Sequence, residues 1–161
     1  GYRNPIIFKA LSPLQGGGAD SSLNSCGAFC GPLVVFGMFF GRDYSLWEKG
    51  ETDLKASMLG EKLLKKFHET YGSAICKDIQ NHCLGFTTRF IKDGKLDKEA
   101  LKNFEINGGH EIVAPTIVGR GAAWAIEILW DELPKDQDID LSVIPSMSEA
   151  EKMLSEKIKN L

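Results

Sequence analysis

The chain is predicted to be mostly α: a compact helical bundle with an irregular N-terminal arm and a C-terminal capped helix. Three observations carry this. Apolar residues recur at three- and four-residue spacing over several long segments, which is the period of a helix with one buried face. Glycines and capping residues fall where such segments end. No stretch alternates well enough for a sheet. With 161 residues, 43% hydrophobic and 25% charged, the chain has the size of one globular domain that buries roughly 70% of its unfolded surface. We expect a cysteine-containing helical domain over 1–133, with 134–161 an acidic linker and final helix packed on it.

The elements follow in order. Residues 1–14 carry Pro5 and Pro13, which disfavour a long helix, so this arm is read as extended or irregular. It leads into the loop Gly16-Gly17-Gly18. Ser21 to Phe40 is the first strong helix, with Asn24 or Ser25 as N-cap and Gly41 as the terminating glycine. Pro32 either kinks it or marks its start, leaving Cys26 to Cys30 in a preceding turn. Thr52 to Tyr71 is an amphipathic helix whose stripe is Leu54, Met58, Leu64, Phe67 and Tyr71. Gly72 ends it, and Ser73 can cap a short helix over Ala74 to Gln80. A turn at Asp93-Gly94 precedes a short helix over Lys98 to Phe104. Gly108, Gly109 and His110 form a second loop before a third strong helix, Pro115 to Leu133. There Gly119, Gly121, Ala122 and Ala123 make a smooth face suited to a helix contact and hence to a homodimer. Ser148 and Glu151 form a capping box for a last helix over 149–160.

Composition narrows the partners. A net charge of −3 and a pI near 5.6 argue against nucleic acid, which would want a basic stripe. The run Lys62 to Lys66 reads as a solvated helix face. No apolar run reaches the ~20 residues of a membrane span, so no membrane partner is expected. No signal peptide is visible, which favours the cytoplasm. The start at Gly1 rather than Met leaves the periplasm open if a leader has been removed.

The chemistry lies in the four cysteines, which form two local pairs: Cys26 with Cys30, and Cys76 with Cys83. Four thiolates converging on one point would bind an iron–sulfur cluster or zinc. The same thiols could instead cycle between thiol and disulfide, or be ordinary buried cysteines. In a helix Cys26 and Cys30 would share one face and could chelate one metal-containing group, whereas in a turn a disulfide between them becomes easier. A helix N-terminus should lower the pKa of Cys26, and Gly27 and Gly31 leave room for a cluster to approach. Six residues between Cys76 and Cys83 exceed the usual zinc spacing. No C-x-x-C-H is present, so no covalent haem is expected. His110 is a candidate ligand from its glycine loop, as is His82. Gly16, Gly17 and Gly18 could cradle a cofactor group, although no nucleotide-binding motif accompanies them.

The run Gly16-Gly17-Gly18, then Cys26-Gly27-Ala28-Phe29-Cys30-Gly31 and the apolar helix to Arg42, resembles the family named for a C…GCAxxG…C…C pattern. Phe67 to Ser73 followed by Cys76 continues the resemblance, as does Val118 to Trp124. The resemblance implies a helical fold and cysteines that serve redox chemistry. A related domain of split-Soret cytochromes c looks to hold an iron–sulfur centre. Only Cys26 and Cys76 carry over from the family pattern. The family's upstream cysteine has no counterpart here, Ala114 stands where a late cysteine is usual, and Cys30 and Cys83 are additional. The function expected is electron transfer through one iron–sulfur cluster, [2Fe–2S], on Cys26, Cys30, Cys76 and Cys83, serving a redox partner protein as a carrier rather than a substrate-converting enzyme. The alternatives are a metal-free dithiol protein, with Cys26 attacking and Cys30 or Cys76 resolving, and a non-catalytic accessory domain.

Overall fold

A computed structural model describes residues 5–133; the proposed linker and capped helix within 134–161 lie outside them. Seven α-helices and one two-stranded hairpin form the regular structure among the described residues, as the helical periodicity predicts. Three helices make the core: α2 (Gly27–Phe40), α4 (Lys55–Tyr71) and α7 (Ala114–Glu132) pack on one another. Phe36, Leu59, Leu63 and Phe67 are at most 1% exposed, and burial of each such side chain is worth about 1.5–3 kcal/mol. Phe29 and Trp124 both meet Phe67 edge-on, with ring centroids 5.4 and 5.3 Å away.

The buried stripe of α4 differs from the expected one. Leu59, Leu63, Phe67 and Tyr71 face the core at strict four-residue spacing, while Leu54, Met58 and Leu64 face outward. Phe67 and Tyr71 belong to both stripes, and packing against α2 and α7 buries Leu59 and Leu63 with them in place of Leu54, Met58 and Leu64.

The helix α2 runs unbroken through Pro32. Pro32 has no N–H to offer the Ala28 carbonyl one turn back, so that oxygen is left free to face a neighbour. It faces Gly121 of α7, where a methyl group would overlap it. Part of the smooth face is therefore used internally: Gly121 is buried, while Ala122 and Ala123 are exposed. Gly121→Ala is expected to cost about 1–3 kcal/mol, because the obstacle is backbone and cannot rotate away. A urea titration checks this, and an unchanged midpoint would contradict the close crossing.

From Pro5 onward the N-terminal arm is helical rather than irregular. Pro5 opens α1 (Pro5–Leu11), and a 3₁₀ helix follows over Ser12–Gly17 with Pro13 in its first turn. Proline disrupts a helix interior but suits a first turn, whose N–H groups have no partner in any case. Helix α3 (Tyr44–Glu48) was not signalled in the sequence. Helix α5 covers Cys76–Leu84, starting and ending later than expected. The Asp93-Gly94 turn joins strands β1 (Ile91–Lys92) and β2 (Lys95–Leu96), too short to show alternation. Asp97 Oδ1 accepts from the Ala100 amide at 3.0 Å and caps α6 (Lys98–Ile106).

The loop at Gly108–His110 coils into a π turn, Gly109–Val113, that runs into α7. Together they make a continuous stretch, Gly109–Glu132, long and apolar enough to cross a membrane by length and composition. This corrects the expectation that no such stretch exists. Its Ile117, Gly121, Ala125 and Ile128 are buried within the bundle. Glu127 reaches Lys66 of α4 at 2.8 Å, and Glu132 pairs with Lys62 at 2.9 Å and with Lys55.

Candidate functional site

The N-termini of α2 and α5 meet at one point. The segments leading into them run antiparallel and form a single bridge between Ser25 and Ile75. The Cys26 amide donates to the Ala74 carbonyl at 2.8 Å, and the Cys76 amide donates to the Asn24 carbonyl at 2.9 Å. Each cysteine thus leaves the bridge as its helix begins: Cys26 is the N-cap of α2, and Cys76 is the first residue of α5. Helix starts present unpaired amides and positive potential, which favour a thiolate.

The two cysteines line one cavity, and a hydrogen bond from the Cys26 thiol to Cys76 couples them. This bond divides their titration. Cys76 is lowered to about 7, first by the hydrogen bond from Cys26 and then by Gln80, against the opposing effect of burial. Cys26 is pushed well above the usual thiol range by the same bond and by burial. Above pH 7 the pair therefore holds mainly one proton, with the negative charge on Cys76. The expectation that Cys26 would be the acidic thiol is reversed: both stand at helix starts, but only Cys76 also receives side-chain donors.

Gln80 stands one turn beyond Cys76 on α5. Its Nε2 donates to Cys76 Sγ at 3.3 Å and to Ser22 Oγ at 3.1 Å, while its Oε1 accepts from the Thr88 amide at 2.6 Å. The Ser22 hydroxyl donates to the Thr88 carbonyl. Gln80, Ser22 and Thr88 are all buried, so the network is shielded from water and holds the amide in one orientation. None of the three was identified as a site residue from sequence. Only the four-residue spacing of Cys76 and Gln80 carried a signal.

Gln80→Leu is expected to leave the buried Thr88 amide without its partner, at about 1–3 kcal/mol. It should also raise the midpoint of Cys76 alkylation from about 7, since a donor to the thiolate is lost. Alkylation rate against pH measures the midpoint; no upward movement would contradict the role given to the amide.

The glycine loop seats this network. Its successive amides turn onto its own carbonyls: Gly18 to Leu14, Ala19 to Pro13, Ser22 to Gly16 and Asn24 to Gly17. Those donors close the loop rather than face a phosphate. Gly17 is buried against Cys76. Gly16 and Gly27 line a cavity of about 260 Å³ that also has Cys26 and Cys76 in its wall. Gly18 lies beside the Asn24 side chain. His110 stands apart from the cavity lining: it is exposed, its Nδ1 is 2.6 Å from Glu105 Oε1, and its ring packs on Phe90 and Phe104.

The other two cysteines do not join the pair. Cys30 is one turn along α2, half-buried, its thiol directed 3.9 Å to the Ser25 carbonyl, and burial raises its pKa. Cys83 is exposed on the last turn of α5, about 10 Å along the axis from Cys76 at 1.5 Å per residue. An iron–sulfur cluster wants four thiolates around one centre. Among the described residues no three Cys, His, Asp or Glu side chains are gathered as a metal-binding set. The donor set in this arrangement is that of a dithiol and does not fit a four-thiolate cluster.

No curated protein and no solved structure matches the chain. The family described as "Putative redox-active protein (C_GCAxxG_C_C)" matches residues 1–128, a span that holds all four cysteines. The chain belongs to that redox-active family.

Proposed function

We propose that this chain is a two-electron thiol–disulfide redox protein in which Cys76 attacks and Cys26 resolves. The observation that carries this is the meeting of Cys26 and Cys76 at two helix starts held by the Ser25–Ile75 bridge, with both in one cavity wall and Gln80 donating to Cys76. The Cys76 thiolate attacks one sulfur of a substrate disulfide, forms a mixed disulfide and expels the other half as a thiolate. Cys26 then gives up its proton to the departing second half and attacks Cys76. A Cys26–Cys76 disulfide forms and the substrate leaves as two thiols, so two electrons pass from protein to substrate. A redox partner protein returns the pair to its dithiol form.

Thiol counting tests this reading. Mild oxidation should remove two of the four thiols, and peptide mapping without reductant should join the Cys26 and Cys76 peptides. Four thiols retained after oxidation would contradict it. An electron carrier holding a [2Fe–2S] cluster on Cys26, Cys30, Cys76 and Cys83 is the second reading. It is favoured by the closeness of Cys30, whose charge acts on Cys26. It requires Cys83 to come two turns back along α5. Iron and sulfide analysis of anaerobically prepared protein separates the two readings.

A further inference from the structure

The cavity beside the sulfurs has a chemistry of its own. Its walls are Ile79, Phe104, Val113, Ile117 and Val118, with the amides of Gln15 and Gln80 as its polar side chains apart from the two thiols. Both amides are engaged, Gln80 in the buried network and Gln15 with Asp20 Oδ2 at 3.0 Å. No ionised Lys, Arg, Asp or Glu side chain lines it. The Asp20 carboxylate acts on Cys76 with a negative charge. An anionic ligand entering here would lose its water without gaining a counter-charge, and it would approach a carboxylate. The volume, about 260 Å³, lies below the ~300–1,000 Å³ of drug-sized ligand sites.

We propose that the substrate of this dithiol is a small neutral organic disulfide, one half of which occupies this apolar cavity while its sulfur meets Cys76. This rests on the two-electron cycle proposed above and adds the class of molecule that it reduces. The exchange balances within that pair of reactants. The substrate S–S bond breaks, the Cys26–Cys76 bond forms, both protein sulfurs are oxidised, and two small neutral thiols leave with the proton of Cys26 and one from water.

Two disulfide reagents of similar size test it on the full chain carrying Cys30→Ser and Cys83→Ser. The first, 2,2′-dithiodipyridine, is neutral at pH 7; the second, 6,6′-dithiodinicotinate, has the same ring system with one carboxylate on each ring. Rates are measured with the protein folded and again in urea, so that the intrinsic reactivity of each reagent cancels. The folded protein is expected to favour the neutral reagent by about tenfold or more over the unfolded one, the scale of one uncompensated charge at a partly desolvated site. Val118 is 56% exposed, so Val118→Lys can add a cation at the rim without burying it, and it should narrow that preference at least threefold. The thiols released per chain separate this inference from the cycle beneath it. Two thiols released with a normalised preference near one overturn the substrate assignment alone, as does a preference unmoved by Val118→Lys. One thiol released overturns the cycle.

Discussion

Cys76→Ser is expected to slow reaction with a disulfide reagent at pH 7 by about sixfold or more. With a pKa of about 7, half of Cys76 is thiolate at that pH, against about 1% for a thiol titrating near 9. A more acidic thiolate is a weaker nucleophile, which returns roughly eightfold of that fiftyfold advantage at a Brønsted slope near 0.45. A net advantage of about sixfold remains over an ordinary thiol. Cys26, Cys30 and Cys83 are all raised above the ordinary value, with burial contributing in each case, so none of them replaces it. Cys26→Ser should behave differently. A serine hydroxyl still donates to Cys76, so the first attack stays fast, but the mixed disulfide persists and one leaving thiol is released instead of two. Stopped-flow absorbance of the released thiol measures both. Equal rates for Cys76→Ser and the parent chain would remove Cys76 from the attacking role.

Gly17→Ala is expected to be the most destabilising small substitution in the site loop, at about 2–5 kcal/mol. Two costs combine. The residue sits at φ +75°, where an L side chain costs about 1–2 kcal/mol. The added methyl would also lie 2.7 Å from Cys76 Cβ and 2.8 Å from Ser22 Cα, and such overpacking costs about 1–3 kcal/mol more. Gly72 provides the control: it has the same φ of +75° with nothing within 4 Å of its would-be methyl. Gly72→Ala should therefore show the backbone cost alone. Urea titrations of the two variants give the difference, which is the cost of crowding Cys76. Equal losses would show that the loop does not press on it.

Cys26 and Cys76 were legible in the sequence because each begins a helix with local signs: a glycine-flanked motif for one, a helix-ending Gly72 with Ser73 for the other. Their meeting depends on the Ser25–Ile75 bridge, which joins segments 50 residues apart in the chain. Helical geometry explains why Cys83 stands away. A spacing of seven keeps it near the face of α5 that carries Cys76 while advancing it two full turns. The expectation that two local pairs converge treated proximity in sequence as proximity in space. Ser22 and Thr88 escaped notice for the opposite reason, since their hydrogen bond spans 66 residues and polar residues in loops carry no periodic signal. The bundle itself was legible from helical periodicity. Which residues of α4 join Phe67 and Tyr71 in the core was not, because that is settled by how α2 and α7 pack across the helix.

An equilibrium redox titration with peptide mapping tests the central claim most directly. The protein is poised anaerobically across a series of thiol–disulfide buffers, quenched with acid and alkylated, and the cysteine peptides are counted at each potential. The account predicts one transition with a two-electron slope, about 30 mV per tenfold change in ratio, in which Cys26 and Cys76 disappear together into one crosslinked peptide while Cys30 and Cys83 stay alkylated. A one-electron slope with a visible chromophore, or a crosslink that includes Cys30 or Cys83 in place of Cys26, would contradict it.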